Sequence, residues 1–106
     1  MSSFDRIIQI VRSIPPGQVA SYGQIGAAAG YPKGARLVAW ALHGLSGEEL
    51  AQTPWWRVVN RVGVISTTCE DHTALMQQVL LEKEGVQVSE VGGVLQINLK
   101  QFGWKF

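Results

Sequence analysis

The sequence predicts a mostly α-helical domain with a small β wing, in the winged-helix-like outline of a helix-turn-helix protein. Apolar residues repeat at helical spacing in several segments, a short glycine-containing turn separates the second and third of these, and two short apolar runs near the C-terminus flank a Gly-Gly pair. The length of 106 residues and the hydrophobic fraction of 46% are typical of a globular protein. We therefore expect residues 1–106 to form a single domain.

The first predicted helix runs from about Ser3 to Ser13 and is stopped by the proline-rich segment that begins at Pro15. Ser2 followed three residues later by Asp5 resembles a capping box. The apolar face repeats at i, i+3, i+4 and i+7 and consists of Phe4, Ile7, Ile8 and Val11.

The second and third predicted helices form the helix-turn-helix. Ser21 followed by Gln24 repeats the capping-box pattern, and Gly30 is placed to end a short second helix at the C′ position. Pro32 suits the first turn of a third helix, which Gly44 would end. By itself this outline favours DNA binding about as much as simple packing of three helices.

The third helix has two different faces. One face is apolar and contains Val38, Ala41, Leu42 and Leu45. The opposite face repeats at the same spacing and contains Arg36, Ala39, Trp40 and His43. Ala35 and Ala39 are small and flank Arg36, so the backbone could approach a groove closely while the long cation projects from it. The alternatives are a surface salt bridge for Arg36, and for Trp40 a partner-binding face or packing against residues 46–53.

The second half of the chain carries less regular signals. Residues 46–53 are expected to form a loop, and short strands are expected at Arg57-Val58-Val59 and at Val64-Ile65-Ser66. Asp71 is expected to cap a fourth helix that Gly85 ends, and this helix carries Leu75, Met76, Val79 and Leu80. A hairpin is expected from residues 86–91 and 94–99, with Leu95, Ile97 and Leu99 on one face.

Charge and cysteine content limit the function classes. A formal net charge of +1 is too small to predict a nucleic-acid partner from composition, although the stretch from Arg6 to Arg36 contains no acidic residue. Cys69 is the only cysteine, so an internal disulfide is excluded. A single cysteine is also compatible with a protein of a reducing compartment. No secretory signal or membrane-spanning run is visible, and we expect a cytoplasmic protein that does not contact membranes.

Conventional catalysis has little support in the sequence. The segment Pro54-Trp55-Trp56-Arg57-Val58 contains two adjacent indoles, which can bind by stacking and cannot act as nucleophiles. Cys69 and His72 are too few ligands for a closed zinc site, and neither histidine lies in a recognisable nucleophile context. We therefore expect no metal, no cofactor and no catalytic residue.

Four linked motifs carry a resemblance to a known family. They are Ser21-Tyr22-Gly23-Gln24-Ile25, Ala35-Arg36-x-Val38-x-x-Ala41-Leu42, Pro54-x-x-Arg57-Val58-Val59 followed by Gly63, and Leu80-Leu81-x-x-Glu84-Gly85. In order and spacing, over about residues 4–85, the chain resembles the DNA-binding domain of O6-alkylguanine-DNA alkyltransferases.

One departure from the family pattern changes the implied function. The enzymes carry Pro-Cys-His-Arg-Val, in which the cysteine accepts the alkyl group and the histidine, with a glutamate, helps to deprotonate it. Trp55 stands at the cysteine position and Trp56 at the histidine position, whereas Glu84 matches the remaining acid. The chain is thus similar to the alkyltransferase-like proteins, a non-enzymatic branch that binds alkylated guanine and flags it for nucleotide excision repair.

The resemblance also implies a binding mode. The recognition helix would enter the minor groove of double-stranded DNA containing O6-alkylguanine, with Ala35 and Ala39 against the groove. Arg36 would fill the space left by the extruded nucleotide, and Tyr22 would crowd the backbone phosphate. Nucleotide excision repair proteins are the implied partners, and we expect a monomer. The lesion pocket would be lined by Trp55, Val58, Thr68 and Cys69.

Two other functions remain open from the sequence. An active alkyltransferase could use Cys69 as its acceptor, although on this alignment Cys69 lies at a lining position. A helix-turn-helix transcriptional regulator would instead read the major groove of undamaged DNA. Within the motif itself, Trp56 is better explained as a core aromatic that anchors the strand than as a direct ligand.

Overall fold

The computed structural model describes residues 2–65, 68–69 and 72–106, and at residues 68, 69 and 72 it describes the backbone alone. The α-helices in this part of the chain are α1 Ser3–Arg12, α2 Tyr22–Ala28, α3 Ala35–His43, α4 Gly47–Gln52, α5 Ala74–Lys83 and α6 Leu99–Phe102. The strands are β1 Ala20–Ser21, β2 Val58–Val59, β3 Val64–Ile65, β4 Thr68–Cys69, β5 His72–Thr73, β6 Val88–Val91 and β7 Val94–Ile97. The predicted fold class, mostly helical with a small β element, is confirmed.

The strands form three small sheets. β1 pairs in parallel with β2, so Ala20 lies opposite Val58 and Ser21 lies opposite Val59. The order β3-β7-β6 makes an antiparallel sheet, and β4 pairs antiparallel with β5. The β1–β2 pair joins the start of the helix-turn-helix to the strand that follows the two indoles.

Both predicted capping boxes are present because they depend only on local sequence. Ser2 caps α1 together with Asp5, and Ser21 caps α2 together with Gln24. At the other end of α2, Gly30 adopts a φ of +95°, in the left-handed region that glycine reaches without steric cost. The predictions for the start of α1 and for both ends of α2 are therefore confirmed.

The turn between α2 and α3 is tighter than the sequence suggested. The backbone N–H of Gly34 donates to the carbonyl of Tyr31 at 2.9 Å, which closes a turn that contains Pro32. The expected start of α3 at Pro32 is wrong, because this turn delays the helix until Ala35. A Cβ on Gly34 would lie 2.8 Å from the carbonyl oxygen of Tyr31, so the tight turn requires glycine here.

Residues 46–53 were expected to be a loop, and this expectation is wrong. Residues 47–52 form α4. Glu48 and Glu49 occupy its first turn, where the positive end of the helix dipole stabilises their carboxylates. The side-chain amide of Gln52 also donates to Glu48 one turn earlier at 3.1 Å. These local interactions explain why the segment is helical.

The expected cap and apolar face of the fourth helix are both wrong. The N-cap of α5 is Thr73, whose hydroxyl accepts from the N–H of Met76 at 3.1 Å, and Asp71 lies outside the described residues. Gln77 and Leu81 are buried in α5. Leu75, Met76 and Val79, which belong to the expected apolar face, are exposed, and Leu80 is half-buried. Gly85 follows the helix with a φ of +89°, as predicted.

The C-terminal hairpin is confirmed, with small differences at its ends. β6 and β7 pair around Gly92 and Gly93, which adopt φ values of +59° and +80°. Leu99 begins α6 and does not extend β7. In the earlier strands, Arg57 belongs to a short 3-10 helix before β2, and Ser66 lies outside the described residues after β3.

Two groups of buried side chains hold these elements together. The helical core consists of Ile7, Ile8, Val11, Ile14, Ala20, Ile25, Ala29, Val38, Ala41, Leu42, Leu45, Trp55 and Val58. The wing core consists of Val19, Val59, Ile65, Leu81, Val86 and Ile97. Trp56 is half-buried and packs against both, so the tryptophan segment, residues 54–58, lies where the two cores meet. Among the described residues, no helix is long and apolar enough to cross a membrane.

Candidate nucleic-acid interface

The exposed face of α3 carries the side chains predicted to meet DNA. Ala35 and Arg36 are exposed in the first turn, and Ala39 is half-buried one turn later. On the opposite side of the helix, Val38 and Ala41 are buried in the helical core. Burial of that apolar face fixes the orientation of α3, and the arginine therefore projects away from the protein.

Tyr22 is held at the first position of α2 by the cap that precedes it. Ser21 is extended and accepts from the N–H of Gln24 at 3.1 Å, while the Gln24 side chain accepts from the N–H of Ser21 at 2.9 Å. Tyr22 is half-buried against the helical core. Because Ser21 pairs with Val59 of β2, the position of Tyr22 is coupled to the tryptophan segment.

Trp55 is almost entirely buried. It begins the 3-10 helix Trp55–Arg57, directly after Pro54, and its side chain is 7% exposed within the helical core. Its ring and that of Trp56 are nearly perpendicular, with an interplanar angle of 86° and 6.1 Å between centroids. Val58 is buried in the same helical core, and Tyr22 packs against this core. The structure therefore brings Trp55, Val58 and Tyr22 to one cluster.

Glu84 is the centre of a hydrogen-bond network around the second indole. Its carboxylate accepts from Nε1 of Trp56 at 3.0 Å and from the backbone N–H of Gly17 at 3.1 Å. The guanidinium of Arg57 donates to it from Nε at 3.0 and 3.1 Å and from Nη2 at 2.6 Å. Arg57 also donates to the carbonyl of Ile14 at 2.8 Å. Glu84 thus holds Trp56 and Arg57 in place.

The charge of Glu84 is stabilised in this network. Partial burial works to raise the pKa of Glu84, because it removes water from the carboxylate. Hydrogen bonds from Arg57, Trp56 and the backbone of Gly17, together with the charge of Arg57, outweigh this effect and lower the pKa below its ordinary value. Glu84 is therefore an ionised hydrogen-bond acceptor at neutral pH.

Two contributors to this network were missed by sequence reasoning. Gln77 is buried, and its amide donates to the carbonyls of Trp56 at 3.0 Å and Val58 at 2.8 Å. Gly17 supplies the backbone donor to Glu84. Gln77 lies seven residues before Glu84, a spacing that puts both on one helical face, and this was the available signal. No sequence signal pointed to Gly17, because its partner Glu84 lies 67 residues further along the chain.

The remaining predicted pocket residues, Thr68 and Cys69, form β4 and pair with β5 immediately before α5. Their side chains lie outside the described part of the structure, so their lining role stays a prediction. Among the residues that the structure describes, no group of three or more metal-ligating side chains occurs.

Comparison with protein families gives a match that spans most of the chain. Residues 2–86 match the model of the DNA-binding domain of 6-O-methylguanine DNA methyltransferase. The chain belongs to this family. The resemblance inferred from the four sequence motifs is therefore confirmed.

Two relatives within the methyltransferase DNA-binding family are similar over nearly their whole length. The chain is 40% identical over 100 residues to a DNA base-flipping protein of Vibrio parahaemolyticus, covering 94% of this chain and 93% of that protein. It is 34% identical over 103 residues to Alkyltransferase-like protein 1 of Schizosaccharomyces pombe, covering 96% and 94%. These similarities favour a DNA-binding protein over an enzyme.

A solved structure of a family member shows the same architecture. The crystal structure of S. pombe Atl1 in complex with damaged DNA containing O6-carboxymethylguanine superposes with a TM-score of 0.88 at 33% identity. The superposition covers 98% of this chain and 95% of the Atl1 chain. The similarity in fold therefore extends over nearly the whole chain, including α3 and the tryptophan segment.

Proposed function

We propose that this protein binds O6-alkylguanine in duplex DNA through the minor groove, rotates the damaged nucleotide out of the stack and holds it without alkyl transfer. The observation that carries the proposal is the buried indole of Trp55 in a DNA-binding domain of the methyltransferase family, and the sequence motif assigns Trp55 to the position of the acceptor cysteine. The similarity to a base-flipping protein and to a protein crystallised on damaged DNA supports the same function.

Extrusion of the nucleotide would depend on two side chains of the helix-turn-helix. Arg36 is exposed at the second residue of α3 and would fill the space left in the stack. Tyr22, fixed at the start of α2, would press against the backbone phosphate of the rotating nucleotide. Extrusion costs a few kcal/mol and costs least where base pairing is already weak, as it is opposite an alkylated guanine. The lesion would therefore be favoured before it reaches the pocket.

The lesion would be held near Trp55, Val58 and the segment Thr68–Cys69. Trp55 is only 7% exposed, so full stacking of the base on its indole would need neighbouring side chains to shift. Contacts between aromatic side chains and bases are worth about 1 to 3 kcal/mol each, comparable with the cost of extrusion.

The absence of transfer follows from the chemistry of the two indoles. Tryptophan offers one N–H donor and no nucleophilic atom, so Trp55 cannot accept an alkyl group. Trp56 cannot act as a base, and its N–H donates to Glu84. We infer that the bound lesion is passed to nucleotide excision repair inside the cell, because binding alone leaves the alkyl group on the base.

A titration of two duplexes tests the proposal. One duplex carries a single O6-methylguanine and the other has guanine at the same position, with the salt concentration fixed because phosphate contacts make affinity salt-dependent. We expect the damaged duplex to bind at least five-fold more tightly whatever the flanking sequence. Equal affinity for both duplexes would reject lesion recognition. A preference among undamaged sequences would favour a transcriptional regulator.

The enzyme alternative needs a separate measurement. If Cys69 were an acceptor, incubation with the damaged duplex would add one methyl group to the protein, and the peptide containing Cys69 would carry it. The binding proposal predicts an unchanged protein mass at every time point.

A further inference from the structure

Trp40 is a large apolar side chain on the surface of the recognition helix. Its exposed fraction is 59%, whereas Val38 and Ala41 beside it in α3 are 0% and 4% exposed. At this exposure, any packing of the indole against residues 46–53 would leave most of the ring uncovered. A tryptophan side chain buries about 150 to 250 Å² when it is covered, which makes this one a large unused contact area.

The position of Trp40 relative to Arg36 connects it to the DNA-binding face. The two residues are separated by one turn of α3, which corresponds to about 6 Å along the helix axis. This distance is less than two base-pair steps of about 3.4 Å. Ala39, the residue before Trp40, is small and does not hold the backbone away from a groove. A groove that receives Arg36 would therefore come within reach of the indole.

We propose that Trp40 is a second DNA-contacting side chain, which packs into the minor groove beside the gap filled by Arg36. Its apolar face would cover sugar and base edges at the neighbouring step, and its N–H would face the hydrogen-bond acceptors on the groove floor. Proteins that bind the minor groove commonly insert apolar side chains between or beside base steps and so widen the groove. This inference rests on the proposed function and adds a contact that the sequence motifs do not assign.

Charge favours DNA over a protein as the occupant of this face. Residues 6–47 contain no aspartate or glutamate, and this stretch includes all of α2 and α3. Lys33 precedes α3, Arg36 lies on its first turn and His43 ends it. A helix pair that carries no carboxylate of its own, with the predicted arginine contact on it, suits a polyanion whose groove also offers apolar sugar edges, although Glu48 and Glu49 begin the next helix.

Two substitutions and one matched control test the role of Trp40. Trp40→Gln removes the aromatic face and retains a polar side chain of good helix propensity, whereas Trp40→Phe retains an aromatic face. Val91→Gln is the control, because Val91 is 60% exposed on the C-terminal hairpin, away from α3. Each variant is titrated against the damaged and undamaged duplexes at several salt concentrations, after far-UV circular dichroism has verified its fold.

We expect Trp40→Gln to bind at least five-fold more weakly, Trp40→Phe to remain within about two-fold of the wild type, and Val91→Gln to be unchanged. The slope of log affinity against log salt should be the same for all proteins, because Trp40 carries no charge and displaces no counterion of its own. A loss in Trp40→Gln with an unchanged slope supports the inference.

Three results would overturn it. The first is wild-type affinity in Trp40→Gln, which would indicate that the indole binds a protein partner. The second is an equal loss of affinity in Trp40→Gln and Val91→Gln. The third is an equal loss of affinity in Trp40→Gln and Trp40→Phe. If the wild-type protein binds both duplexes alike, lesion recognition fails. The role of Trp40 is then decided by the affinity of its variants for the undamaged duplex, so the two failures are distinguishable.

Discussion

The indole N–H of Trp56 donates a hydrogen bond to the carboxylate of Glu84 at 3.0 Å. Arg57 binds the same carboxylate and also lies 5.4 Å from the centroid of the Trp56 ring, which places a cation over the indole face. The glutamate thus connects two consecutive residues of the tryptophan segment to the end of α5. In this chain Glu84 therefore stabilises the segment that contains Trp55.

Replacing Glu84 with glutamine should destabilise the fold. The amide keeps the shape of the carboxylate but loses the charge-assisted hydrogen bonds to Arg57, so we expect the free energy of unfolding to fall by about 2 kcal/mol. Urea denaturation at pH 7 measures this change. Glu82→Gln, at an exposed site two residues earlier, is the control and should change stability by less than about 0.5 kcal/mol. Equal effects of the two substitutions would show that the network contributes little.

The same carboxylate should make stability depend on pH in the acid range. Because the pKa of Glu84 is lower in the folded protein than in the unfolded chain, its contribution is fully present above the ordinary glutamate pKa of about 4.3. The contribution is lost as the pH falls through the lower pKa of the folded state. Between pH 7 and pH 3, the free energy of unfolding should therefore fall less steeply with decreasing pH for Glu84→Gln than for the wild type. Parallel curves would contradict the lowered pKa.

Gln77 should matter more for stability than its equally polar neighbour. Gln77→Ala would leave the carbonyls of Trp56 and Val58 without their donor inside the protein, at a cost of about 2 kcal/mol. Gln78→Ala, a change of the same type at a half-buried site, should cost less than half as much. Thermal unfolding of the two variants measures the difference. Similar melting temperatures would argue against a stabilising role of the hydrogen bonds from Gln77.

Arg36 should contribute to DNA binding through its shape as well as its charge. Arg36→Ala should weaken binding to the damaged duplex by about 1 kcal/mol or more, since stacking in the vacated space is lost. Arg36→Lys retains the charge but lacks the planar guanidinium, so it should recover the salt dependence and only part of the affinity. Fluorescence anisotropy at fixed salt measures both. Unchanged affinity in Arg36→Ala would exclude its role as the residue that fills the gap.

Restoring the acceptor alone should not restore an enzyme. In Trp55→Cys the thiol has no neighbouring base, and an unassisted cysteine with a pKa of about 8.5 is mostly protonated at pH 7. We expect this variant to transfer methyl groups from damaged DNA far more slowly than the double variant Trp55→Cys with Trp56→His. Intact-protein mass spectrometry over time measures transfer. Rapid transfer by the single variant would show that the base is dispensable.

The parts of the fold that could be predicted depend on short stretches of sequence. Ser2 with Asp5 and Ser21 with Gln24 form capping boxes between residues three apart, so both helix starts were correct. Pro32 misled because proline is equally suited to the first turn of a helix and to the tight turn that Tyr31 and Gly34 form.

The sequence motif grouped Trp55, Trp56 and Glu84, and the structure brings them together, but their supporting contacts were not predicted. Trp55, Trp56 and Glu84 could be found because they fall on positions of a known motif, and this also placed Arg36 on an exposed helix face. The bonds from Gln77 join residues 19 and 21 positions apart, and the bond from Gly17 to Glu84 spans 67 positions. Such contacts depend on the packing of α5 against the rest of the fold, which local periodicity does not report.

Native mass spectrometry of one mixture tests both lesion recognition and the absence of alkyl transfer. The protein is mixed with equal amounts of the O6-methylguanine duplex and the matched undamaged duplex. The masses of the complexes and of the released protein are then measured. We predict that the complex contains mainly the damaged duplex and that the protein mass is unchanged after prolonged incubation. Equal occupancy of the two duplexes, or a protein heavier by one methyl group, would contradict the account.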